Sequence, residues 1–193
     1  MRSMFLPLIQ FLRLFKDISP PDEELIVSHA KFRSVKEGDI LLNEGQHARA
    51  FFFICNGVLK IVSYNEKGTP VIKFFLKENQ FCTILNSFEN EVPALESIVA
   101  ACDTELIVFS RESLYDLYEA ISYFKGLIAG ITHQSLLDKI QIRNSYLGED
   151  ATTRYQKFLL RQPEIALRVS LSDVASYLGI TQQSLSRIRK STH

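Results

Sequence analysis

Apolar positions change their spacing twice along the chain. Met4 to Phe15 (MFLPLIQFLRLF) is dense in large apolar side chains and is interrupted by Arg13. It reads as a buried amphipathic N-terminal helix, since it is too short to span a bilayer and no small-residue cleavage site follows. Ser19-Pro20-Pro21-Asp22 sets a capping hydroxyl before proline and an acid in the first turn, which predicts a short helix from about Pro20 to His29. From Lys31 to Phe109 the pattern turns to β-branched and aromatic runs: Ile40 to Leu42, Phe51 to Cys55, Val58 to Tyr64, Val71 to Leu76, Ser97 to Ala101 and Leu106 to Phe109. Gly38, Gly45, Gly57 and Gly68 punctuate them, with hairpin signals at Asn56-Gly57 and Lys67-Gly68. That rhythm predicts a small all-β barrel or jelly roll.

After Arg111 the period becomes helical. Leu114, Leu117 and Tyr118 share one short helix, and a proline-free run extends from about Ser122 to Leu147. Phe124, Leu127, Ile128, Ile131, Leu137 and Ile140 give that run a long apolar side, but Gln134, Ser135 and Asp138 break any clean heptad. Packing on the chain's own barrel and pairing with a twin helix both stay open. Gly148-Glu149-Asp150 reads as a helix stop and hinge, before another helix from Arg154 to Arg161 that Gln162-Pro163 ends.

The most informative stretch is Leu171 to Lys190, LSDVASYLGITQQSLSRIRK. Val174, Leu178, Leu185 and Ile188 give two short helices a buried side, and Ala175 is small where they must cross. Gly179 permits a left-handed turn between them, Ile180 plugs the corner, and Thr181 can cap the second helix. Turning Leu185 and Ile188 inward leaves Gln182, Gln183, Ser186 and Arg187 on the outer face. Glutamine can bond adenine at two points and arginine can do the same with guanine. Thr181, Ser184, Arg189 and Lys190 suit phosphate contacts, which fix position rather than sequence choice.

Charge strengthens this reading. The chain has 193 residues with 22 basic and 22 acidic side chains and 46% hydrophobic residues, which excludes a disordered, collagenous or disulfide-stapled chain. Residues 151–193 hold seven of the basic groups and only Glu164 and Asp173 of the acidic ones, so a basic end follows an acidic body. Cys55, Cys82 and Cys102 are too few and too scattered for a disulfide framework or an iron-sulfur cluster, and fit a reducing cytoplasm. His29, His47, His133 and His193 form no H-x-H pair, so a cupin-like metal enzyme lacks its ligands, and no nucleophile, P-loop or dinucleotide motif is present. Catalysis is not expected, and no metal or cofactor is implied. Haem ligation through His47 or Cys82 would rest on single residues.

The β segment with KEGDILLNEG and FFFICNGVLKIV, the long helix and the terminal LSDVASYLGITQQSLSRIRK together resemble the bacterial CRP/FNR transcription regulators. The resemblance covers nearly the whole chain. It implies an α+β chain: a cyclic-nucleotide-binding-like β-roll sensor over residues 1–121, a dimerisation helix over 122–147 and an all-α helix-turn-helix domain over 148–193. It carries base reading to Gln182, Gln183 and Arg187, and implies a homodimer meeting through the long helix, with Phe124, Leu127, Ile128 and Ile131 as contact residues. Double-stranded DNA and a second copy are the expected partners, RNA polymerase is a further candidate, and no membrane is involved.

Two departures from the family follow. Where cyclic-nucleotide-binding relatives place Gly-Glu-Leu and an arginine around the ligand, this chain has Phe81-Cys82-Thr83-Ile84. No Arg or Lys occurs from Glu78 to Cys102, while Glu78, Glu89, Glu91 and Glu96 do. A cyclic phosphate would enter without a cation to pair it, so tight binding of cyclic AMP or cyclic GMP is not expected, and an effector at Phe81 to Ile84, if any, is of unknown kind. Little sequence follows Lys190, so wing contacts to DNA are not expected. The alternative reading is a ligand-binding module that regulates a protein partner without touching DNA.

Overall fold

The computed structural model describes residues 2–192, the side chains of Arg2 and Thr192 excepted. A 3-10 turn over Arg2–Phe5 leads into α1 (Leu6–Arg13), and α2 (Pro20–Ser28) follows with Ser19 Oγ accepting the Asp22 N–H at 3.3 Å. The capping expected from Ser19-Pro20-Pro21-Asp22 is therefore in place.

Eight antiparallel strands come next: β1 (Ala30–Val35), β2 (Ile40–Leu42), β3 (Ala50–Asn56), β4 (Leu59–Tyr64), β5 (Pro70–Leu76), β6 (Phe81–Cys82), β7 (Ser97–Ala100) and β8 (Thr104–Ser110). They form two four-stranded sheets, ordered β1-β8-β3-β6 and β2-β7-β4-β5. The result is a β-roll, and β3 explains why its sequence lacks alternation. Phe51, Phe52, Phe53 and Ile54 are all buried, because α1 and α4 cover the face turned away from the roll interior. α3 (Leu85–Asn90) lies between β6 and β7, and α4 (Arg111–Ala120) follows β8.

On the side of β3 covered by α1 and α4, aromatic rings meet one another. Phe81 lies 5.1 Å from both Phe51 and Phe53, Phe51 lies 5.6 Å from Phe88, and Phe11 of α1 reaches Phe53 at 5.4 Å. Such offset rings fill volume and add attraction beyond burial. At the β3–β4 turn, Gly57 has φ +103° and a Cβ there would lie 2.4 Å from Thr104 Oγ1. Only glycine suits that turn.

α5 (Phe124–Asn144) runs along the roll. Phe124, Ile128 and Ile131, expected at a dimer contact, are instead buried in the chain's own core, and Leu127 packs partly against it. Their 3.6-residue spacing reports which side is apolar, not whose surface covers it. Those three side chains are not free to meet a second copy.

The final helices are α6 (Ala151–Arg161), α7 (Pro163–Ala166), α8 (Leu171–Leu178) and α9 (Gln182–Thr192). Pro163, read from sequence as a stop, also opens α7 at its first position. These helices do not form an isolated core. Phe158, Val174, Ala175, Leu178, Leu185 and Ile188 share one apolar cluster with Val58, Val62, Ile72 and Phe75 from the sheet containing β4 and β5. No helix among the described residues is long and apolar enough to cross a membrane.

Candidate nucleic-acid interface

Local chemistry fixes the two helices of the motif before any partner is considered. Ser170 Oγ accepts the Asp173 N–H at 3.1 Å to start α8, and Gly179, at φ +65°, ends it. The Ile180 N–H returns to Ala175 O at 3.0 Å, closing a turn that a residue with a side chain would strain. Thr181 Oγ1 then accepts the Ser184 N–H at 3.1 Å, the cap expected from the sequence.

On α9, Leu185 and Ile188 are buried while Gln182, Gln183, Ser186 and Arg187 are all exposed, so one polar face stands clear of the protein. Of the four residues suited to phosphate, Thr181 and Lys190 are exposed, and Ser184 and Arg189 are half-buried. The Thr181 and Ser184 hydroxyls also bond each other at 2.9 Å, so part of their capacity serves the cap.

Two supporting residues escaped the sequence reading. Arg154 Nη1 donates to Leu178 O and so satisfies a carbonyl at the end of α8, while its Nε is buried without a hydrogen-bond partner. Buried Gln162 donates through Nε2 to the hydroxyls of Tyr146 (3.1 Å) and Tyr177 (3.2 Å), tying the end of α5 to α8. Burial raises both tyrosines above their ordinary range, which keeps them protonated. Spacing gave the orientation of these helices, but nothing in it signals which side chain braces which carbonyl.

The basic end is less free than its composition suggests. Lys157 pairs with Glu149, Arg168 with Glu78, and Arg154 is engaged by Leu178, so three of the seven cations serve the fold. Asp173, one of the two acids, is held by Lys60 of β4 at 2.8 and 2.9 Å.

At the expected effector segment, Phe81, Cys82 and Ile84 are buried, and the half-buried Thr83 donates its hydroxyl to Ala50 O at 3.0 Å. Burial pushes the Cys82 thiol up to about 12, a packing residue rather than a reactive one. Arg111 reaches α3, but its Nε already donates to Phe88 O at 2.9 Å and its Nη1 pairs with Glu91. The cavity beside these rings, of about 280 Å³, opens between α3, α4 and α5 and is lined by both Lys125 and Glu89. Among the described residues no cluster of His, Cys, Asp and Glu is arranged to hold a metal ion, and His193 lies outside them.

Comparison with known proteins now adds to this geometry. Residues 32–120, from β1 to the end of α4, match the family model of the cyclic nucleotide-binding domain. Along 92% of this chain and 89% of the relative, the sequence is 20% identical to the cAMP-activated global transcriptional regulator CRP of Salmonella typhimurium, and equally so to that of Escherichia coli O157:H7. Along nearly its whole length the chain is thus similar to CRP-type regulators. Among solved structures, FixK2 from Bradyrhizobium japonicum superposes with a TM-score of 0.72 over 85% of this chain and 84% of its own, at 19% identity. The c-di-GMP responsive global regulator CLP of Xanthomonas campestris superposes with a TM-score of 0.69 over 90% and 91% of the two chains, at 16% identity. The likeness of fold takes in the roll and the terminal helices together.

Proposed function

We propose that this chain is a homodimeric, sequence-specific DNA-binding transcription regulator. The observation that carries the reading is the outward face of α9, where Gln182, Gln183, Ser186 and Arg187 are exposed while Leu185 and Ile188 anchor the helix. In this reading the four exposed residues enter the major groove, and Thr181, Ser184, Arg189 and Lys190 serve the phosphates. A two-fold dimer would set its two recognition helices about 34 Å apart, one turn of DNA, on a pseudo-palindromic site.

The dimer face falls on the outer side of α5. Gly126, Gly130, His133, Leu137 and Ile140 follow alternating steps of four and three residues, and Leu137 and Ile140 are exposed at 40% and 44%. That spacing suits a helix pair, and the two glycines permit close approach. Cyclic AMP is not the effector in this reading, since residues 78–102 offer a cyclic phosphate no cation.

A gel-shift screen of genomic fragments at moderate salt tests the assignment. Selective retardation of a few fragments is expected. Retardation of none would favour the rival role as a regulator of a protein partner. Isothermal titration should give no micromolar affinity for cyclic AMP or cyclic GMP.

A further inference from the structure

Resting on the DNA-reading role of α9, we propose that this chain holds its DNA-reading arrangement without a small-molecule effector, through an ionic clasp between the roll and α8. An effector acts only through differential affinity for two arrangements of the chain. The expected effector segment is already packed: Phe81 meets Phe51, Phe53 and Phe11 of α1, Phe51 meets Phe88, and the Thr83 hydroxyl is bonded to Ala50 O. The adjoining cavity carries cation and acid together, so an anionic ligand meets both signs of charge there.

What an effector would otherwise supply is built in. Lys60 of β4 bonds both carboxylate oxygens of Asp173, with side chains only 19% and 17% exposed. Arg168 grips Glu78 with two nitrogens, and Glu78 Oε1 also accepts the Gly57 N–H at 2.7 Å. Ser176 Oγ accepts the Ile72 N–H at 3.1 Å and donates to Pro70 O at 3.2 Å, so α8 is hydrogen-bonded to the backbone of β5. Lys77 adds a pairing with Glu164. Beneath these, Val62 and Ile72 pack in one cluster with Val174, Ala175 and Leu178. A partly buried ion pair loses more when broken than an exposed one, because the survivor is left desolvated without its partner. In this clasped arrangement the four base-reading candidates on α9 are exposed, so the clasp presents them. Gln182 alone borders the cleft of about 640 Å³ between roll and helices.

The test uses the full chain and changes only the roll. Lys60→Asp with Glu78→Lys leaves the net charge and every α9 residue unchanged while setting like charges against Asp173 and Arg168. The expected result is faster hydrogen exchange at the Ile72 amide and about ten-fold weaker binding to a retarded fragment. Wild-type chain unfolded in denaturant, dialysed and refolded to its native circular dichroism should bind within about two-fold of the chain as purified. Equal or tighter binding by the opened variant would overturn the proposal, as would a refolded wild type about ten-fold weaker than the purified one. Should the charge-reversed variant fail to fold, the milder Lys60→Met with Glu78→Gln must still weaken binding, and unchanged affinity with faster Ile72 exchange would refute the clasp's role. If the wild type retards no fragment at all, the DNA reading itself falls, an outcome distinct from all of these.

Discussion

Arg187 is exposed on a helix whose opposite side is anchored by Leu185 and Ile188, so its side chain can change without loss of the fold. Arg187→Ala should weaken cognate binding by roughly 1–3 kcal/mol and relax preference at one base pair, read by competition between the site and its single-base variants. An equal loss on specific and random DNA would make Arg187 a phosphate contact instead. Gly57 behaves oppositely, because its positive φ and the close Thr104 leave no room for a methyl group. Gly57→Ala should cost about 1–3 kcal/mol in urea unfolding. The inward turn of Leu185 and Ile188 and the hydroxyl cap at Thr181 were legible from spacing, since helical geometry alone dictates them. Arg154 and Gln162 were not, because their partners are a carbonyl and two hydroxyls brought near only by tertiary folding.

Elements were legible where their pattern was strong. The runs over β2, β3, β4, β5, β7 and β8 stand out by their branched and aromatic residues, whereas β1 (AKFRSV) is half polar and β6 has only two residues. Both owe their pairing to neighbours: β1 to β8 along its whole length, and β6 to Phe52 and Phe53 of β3. The same logic explains α5, where periodicity named the apolar side and the roll claimed Phe124, Ile128 and Ile131. Ile140→Asp, on the outer side of α5, should shift sedimentation from dimer to monomer while leaving the thermal midpoint of the roll nearly unchanged. Monomeric wild type, or a dimeric variant, would remove α5 from that role. Thr181→Ala deletes the cap of α9 and should lower unfolding stability by about 1 kcal/mol.

At the scale of the whole molecule, the basic end is joined to the acidic body, because the terminal helices share an apolar cluster with the roll. The join is also titratable. Burial alone would raise the Glu78 carboxyl, but hydrogen bonds from Arg168 and from backbone N–H groups, together with the Arg168 charge, hold it below its usual value. Its contribution is therefore present above the unfolded carboxylate range and is lost as pH falls through the depressed folded value. Acid titration at low salt should lower the protection of the Ile72 amide, measured against its intrinsic exchange rate, before the roll unfolds, and Glu78→Gln should reduce that pH dependence.

Because Arg154, Lys157 and Arg168 are already matched within the protein, few mobile cations remain to displace the ion atmosphere of a duplex. With Arg189 and Lys190 of two copies as the phosphate ligands, the logarithm of affinity should fall against the logarithm of salt with a slope of only about −4. A regulator so sparing of condensed counterions would release bulk chromosome readily and distinguish its sites chiefly by what the base edges offer.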